Sequence, residues 1–148
     1  MILAFALCAS AALPAPAWCQ TSSVWDGVYT DAQAARGSAK YKQMCVMCHG
    51  PVLEGNGEAP PLVGRFIPDW AGTTLSELFE KIQTTMPLFA PATLSSADTA
   101  DILAFILQSN NFPAGGQELQ VGDSLKAISF DVKKPLPTTK AKKSKIVK

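Results

Sequence analysis

The sequence predicts an all-α domain of three main helices, followed by an extended C-terminal arm. Three capping signals, at Thr30, Thr74 and Ser95, each precede helix formers with apolar residues at helical spacing. The segments between them are rich in glycine and proline, and no convincing sheet pattern intervenes. A chain of 148 residues is the size of one domain.

The first stretch stands apart from that domain. Met1 to Ala17 carries no charge, is mostly Ala, Leu, Ile and Phe, and ends in Ala15-Pro16-Ala17. A small-x-small triplet after an apolar run reads as a secretory leader, residues 1–19, cleaved after 17 or 19. The basic start typical of such leaders is missing, and the competing reading is a buried apolar helix, which Pro14 and Pro16 would break early. No later segment is apolar and long enough to span a membrane. The mature protein is therefore expected outside the cytoplasm, in the periplasm, with no transmembrane segment after cleavage.

Residues 20–29 read as an irregular lead-in. Thr30-Asp31-Ala32-Gln33 is a capping-box pattern, and the helix it opens should run to about Met44. Gly37 and Tyr41 are four apart and share a face of that helix, where the glycine would let a second helix approach closely. Residues 50–73 read as a loop. Thr74-Leu75-Ser76-Glu77 is a second capping box, with Leu75, Leu78, Phe79 and Ile82 at amphipathic spacing and Pro87 closing the helix. Ser95 caps a third helix, Ala97 to about Gln108, with Ile102, Phe105 and Ile106 on one stripe and Asn110 and Asn111 at its end. Domain boundaries of 30–115 follow, with 116–148 as the arm. In the arm, Ile128, Phe130 and Val132 alternate with polar residues, which suits a short strand of unidentified partner.

Charge is unevenly placed, although the net value is only +1. Seven lysines and no acid lie between Lys133 and Lys148, so the remaining six basic residues face all twelve acids and the body is acidic. The lysine run reads either as a solvated tail or as an electrostatic tether for an acidic partner or anionic surface. No nucleic-acid partner is expected.

Chemistry concentrates in Cys45-Val46-Met47-Cys48-His49. Two cysteines three apart, followed at once by histidine, form the c-type haem attachment signature. On a helical turn both thiols lie on one side, each able to form a thioether to a haem vinyl group, and the histidine is aimed at the iron. Structural zinc usually wants four Cys or His ligands, and the chain has only one histidine and two further cysteines, Cys8 and Cys19, in or beside the leader. A thioredoxin-like dithiol expects alternating strands and helices, which are missing here.

With His49 used, a second imidazole ligand cannot come from this chain. Thioether sulfur is the alternative, and Met44 and Met47 are tied to the side of the attachment turn. Met86, where the chain leaves the second helix, is free to reach the other haem face. A lone methionine more often fills a core gap, but the haem context favours ligation.

Cys45 to Gly50, Pro60-Pro61-Leu62-Val63-Gly64, Met86-Pro87 and Asp101 to Phe105 together resemble a class I cytochrome c of the bacterial periplasmic kind. The resemblance covers about residues 30–112. It implies three main helices around one covalently bound haem c, with His49 and Met86 as the iron ligands. It also implies that the Pro60 carbonyl accepts from the His49 ring, and that Gly37, Tyr41 and Phe105 meet where the first and last helices cross. Trp70 is either a counterpart of a tryptophan that bonds a haem propionate or a packing residue. The stretch Asn111 to Leu119 resembles cytochrome domains associated with quinoprotein dehydrogenases.

The function expected from these features is single-electron transfer, with a dehydrogenase as donor and a cytochrome or oxidase as acceptor, and no catalysis. Two alternatives are a haem enzyme or gas-binding protein with an open sixth site, and a dedicated cytochrome subunit of a periplasmic dehydrogenase.

Overall fold

Helix α1 (Asp31–Met44) begins where Thr30 turns the chain from an extended conformation and its hydroxyl accepts the Gln33 amide at 3.1 Å. The computed structural model describes residues 22–134. The leader and the tail beyond residue 134 lie outside the described residues. Only the threonine half of the expected capping box forms. The Gln33 side chain turns instead to the C-terminal arm, accepting from the Leu119 amide at 2.7 Å and donating to its carbonyl at 3.2 Å. Two buried bonds to one peptide satisfy that amide better than a single exposed one at the helix start.

After α1 come two short helices, α2 (Val46–His49) and α3 (Phe66–Asp69). The second interrupts a segment that the sequence marks only as loop. Helix α4 (Leu75–Thr85) has a complete capping box, with Thr74 and Glu77 each holding the other's amide, and it buries Leu75, Leu78, Phe79 and Ile82. Helix α5 (Ser96–Ser109) is capped by Ser95 and starts at Ser96, one residue ahead of the expected start. It ends with Asn111 in the left-handed region at φ 63, the Asn111 amide bonding the Gln108 carbonyl and the Phe112 amide bonding that of Leu107. This is the Schellman arrangement, in which asparagine takes the place usual for glycine.

Helix α1 packs chiefly against α5. Gly37 sits at the crossing, where an added Cβ would run into the Asp101 carbonyl. One turn on, the rings of Tyr41 and Phe105 meet with centroids 5.3 Å apart. Ion pairs flank the crossing, Arg36–Asp101 at 2.9 Å and Lys40–Asp98 at 3.0 Å. The hydrogen bond from Lys40 holds the Asp98 carboxyl below its ordinary range. Both pairs are open to solvent on their basic side, so each is worth little beside the apolar contact.

The arm, set outside the domain by its sequence, is packed onto it. Strand β1 (Ser22–Ser23) pairs in parallel with β2 (Ile128–Ser129), in the register Ser22 to Ile128. The missing partner of the alternating stretch is therefore the lead-in, which is itself ordered: Ser23 and Asp26 cap a short 3-10 turn, Val24–Asp26. A second such turn, Asp123–Ala127, packs on α4 and buries Leu125. Two residues per strand leave the all-α class unchanged. Among the described residues no helix is long and apolar enough to cross a membrane.

Tyr29 joins the lead-in to the end of α5. Its hydroxyl donates to the Phe112 carbonyl at 2.6 Å, and only 1% of the residue is exposed. Burial, helped by the nearby Asp31 charge, pushes the phenol up from 10.0 to about 12. The folded protein therefore keeps a proton that the unfolded chain has already released. The stability tied to that proton is complete below pH 10 and is lost as pH rises through 12. Tyr29→Phe should cost about 1 kcal/mol at neutral pH through the lost bond. It should also flatten the alkaline decline in the urea midpoint, and an unchanged decline would show that Tyr29 does not titrate in the fold.

Candidate functional site

Helix α1 hands the chain directly to the attachment turn. The Cys45 amide still bonds the Tyr41 carbonyl at 2.8 Å, and the Cys48 and His49 amides then bond the Cys45 carbonyl at 3.1 and 2.9 Å. This closed turn brings the two thiols to one side, and both are free and partly buried. Burial, then the neighbouring Cys48, pushes the Cys45 thiol up to about 11. Tyr41 locks the end of the turn, its hydroxyl donating to the Gly50 carbonyl at 2.6 Å.

His49 is buried, and its Nδ1 lies 2.9 Å from the Pro60 carbonyl. A carbonyl can only accept, so Nδ1 carries the proton and Nε2 keeps its lone pair free for a metal. The strand of loop that supplies this carbonyl is held from both sides. The Leu62 amide bonds the Leu53 carbonyl at 2.8 Å, and the Asn110 amide group donates to the Leu62 carbonyl at 2.8 Å.

Cys45, Cys48, His49, Pro60, Trp70 and Met86 all line one cavity of about 300 Å³. All six candidate site residues are thus brought together. The walls are apolar, with Phe66, Leu78, Ile82, Leu94, Ile102 and Ile106 drawn from α3, α4, α5 and the loops between. Met86 caps the end of α4, where its amide bonds the Ile82 carbonyl at 3.0 Å, and the bond to Pro87 is cis. Beyond it, Leu88 and Phe89 also reach the cavity yet remain largely exposed. Trp70 stands half-buried at the wall, its ring tilted against Phe66 at 6.2 Å.

Residues 32–106, just over half of the chain, match the family described as cytochrome c oxidase, cbb3-type, subunit III. The chain belongs to this family, and it is a class I c-type cytochrome. A covalently bound haem c is therefore its cofactor, one per domain. The cytochrome also matches a solved structure, the sulfane dehydrogenase SoxCD from Paracoccus pantotrophus, at 27% identity and a TM-score of 0.45. That match covers 72% of this chain and 60% of the other. No curated protein matched the sequence.

The side chains present fit a c-type haem on their own chemistry. Two free thiols share one side of a turn, the single histidine has its outer nitrogen available, and the surrounding cavity is apolar. Sequence reading did not identify the part of Asn110, which it took as a helix stop, or of Phe66, which no periodic pattern marks. A buried amide at a helix end, followed by a second asparagine, is the nearest signal for the first. Tyr41, read as a packing residue, also carries the hydrogen bond to Gly50.

Proposed function

We propose that this cytochrome carries one electron at a time between periplasmic redox partners, through a single haem that Cys45 and Cys48 would hold and whose iron His49 and Met86 would ligate. The observation that carries the reading is the shared apolar cavity, which His49, Met86 and both thiols line together. The bound haem supplies a reversible one-electron change at iron.

The rest is the work of the chain. Cys45 and Cys48 anchor the group against dissociation, so nothing depends on a binding equilibrium. Pro60 holds the His49 ring in one orientation and makes its free nitrogen more basic. Met86 contributes a neutral sulfur, which favours the reduced state relative to a more donating ligand. With His49 and Met86 both holding the iron, the chain would leave no open position for oxygen or peroxide, and electron transfer would need little rearrangement. Trp70, at the cavity wall, is suited to donate its indole N–H to a propionate. Leu88 and Phe89, exposed beside the cavity, offer the small apolar contact that brief redox encounters use.

The uncharged leader supports export to the periplasm. A dehydrogenase as donor and a cytochrome or oxidase as acceptor fit a carrier in that compartment. The decisive test is Met86→Ala. The oxidised wild-type protein should show a sulfur-to-iron charge-transfer absorption that the variant lacks, and the reduced variant should bind carbon monoxide where the wild type does not. A wild-type protein without that band, binding carbon monoxide readily, would replace the carrier reading with an open-site haem protein.

A further inference from the structure

The end of the arm reaches the back of the cavity wall. Phe130 is fully buried, and its backbone brackets the loop after α3: the Phe130 amide donates to the Thr73 carbonyl at 2.9 Å, and its carbonyl accepts from the Gly72 amide at 3.1 Å. Its ring meets Phe66 edge-on at 6.0 Å and Phe112 at 5.4 Å. Phe66 in turn leans on Trp70 at 6.2 Å, and both of these line the cavity, whereas Phe130 does not. A row of rings thus runs from the arm through the wall to the cavity.

The arm is fastened at both ends of this row. Near its start, the Leu119 peptide is bound twice by Gln33, and Arg36 joins Glu118 at 2.9 Å while also holding Asp101. Near its end, the Trp25 indole donates to the Asp131 carbonyl at 3.0 Å, and β1 pairs with β2. The arm residues that make these contacts lie outside residues 32–106, the part of the chain that the family match covers, while Gln33, Arg36 and Asp101 lie within it.

We infer that Phe130 is a positioning residue for the haem cavity, seating Phe66 and Trp70 against it and thereby setting the reduction potential. The inference rests on the one-electron carrier reading. Its physical basis is dielectric: the oxidised state bears one more positive charge than the reduced state, so water admitted behind Phe66 stabilises oxidation and lowers the potential. A closely packed aromatic wall keeps that water out.

Phe130→Ala and Phe130→Val, each prepared as the full-length holoprotein, test this beside Leu119→Ala. Leu119 is also buried in the arm, but its peptide is bonded to Gln33 and it does not line the cavity, so its truncation removes none of the rings in the row. Phe130→Ala should raise the ratio of oxidised to reduced protein at a fixed poise roughly threefold, a fall of about 30 mV at 59 mV per decade. Phe130→Val should shift the ratio less, in the same direction, and Leu119→Ala should keep the wild-type potential. The Gly72 amide should exchange with solvent faster in both Phe130 variants than in Leu119→Ala. Wild-type potentials in the Phe130 variants, or an equal shift in Leu119→Ala, would overturn the assignment. Failure of the carrier reading looks different: the wild-type protein itself would then show no reversible one-electron couple.

Discussion

A Cys45→Ala/Cys48→Ala double variant is expected to accumulate no holoprotein. Each thiol can hold the haem only by its own thioether, so single variants should keep one bond at most, and the double variant none. The loss reaches the fold as well. The cavity of about 300 Å³ is walled by side chains from α1, α4 and α5, and without its occupant those apolar surfaces face water or collapse on one another. His49→Ala should be worse for folding than either single cysteine variant, since it would also remove the proposed iron ligand, whose ring Pro60 orients. Denaturing gel electrophoresis with haem staining, together with the absorption spectrum, measures all four proteins. Haem still covalently bound in the double variant would sink the attachment assignment, and a native spectrum in His49→Ala would mean that another residue ligates the iron.

The second large effect lies at the helix crossing. Gly37→Ala places a methyl group into the Asp101 carbonyl, backbone against backbone, where no side chain can swing away. Helices α1 and α5 must then separate, and the Tyr41–Phe105 contact opens with them. Overpacking of this kind costs about 3 kcal/mol. For a domain of this size that corresponds to a Tm lower by roughly 10 °C. Alanine normally stabilises a helix relative to glycine by up to about 1 kcal/mol, so the predicted sign opposes intrinsic propensity. A Gly37→Ala protein as stable as the wild type by thermal unfolding would show that the crossing is looser than its geometry indicates.

Much of the site was legible because it is local. Three of the five residues from Cys45 to His49 make up the attachment signature, and the turn that aligns them is closed by hydrogen bonds within the same few residues. Helix starts at Thr30, Thr74 and Ser95 are likewise decided by a hydroxyl and an amide three positions on. Gly37 was readable as a close approach because a glycine amid helix formers costs stability unless something needs the space. Elimination singled out Met86 as the proposed second ligand, since a chain with one histidine has few ways to supply one, and Met86 lines the same cavity as His49.

Other features only the tertiary structure decided. Gln33 looked like half of a capping box, yet it serves a peptide 86 positions away. The alternating stretch around Phe130 suited a short strand or an extended arm, but did not show that its partner is the lead-in or that its ring stands behind Phe66. Asn110 bonds a carbonyl 48 residues distant, steadying the loop that orients His49. Capping, helical spacing and thiol alignment are written into neighbouring residues because the backbone itself sets their separation. Contacts across the fold have no such ruler: which buried amide finds which carbonyl, and which ring backs which wall, is settled only when the apolar faces pack and most polar groups left inside find a partner.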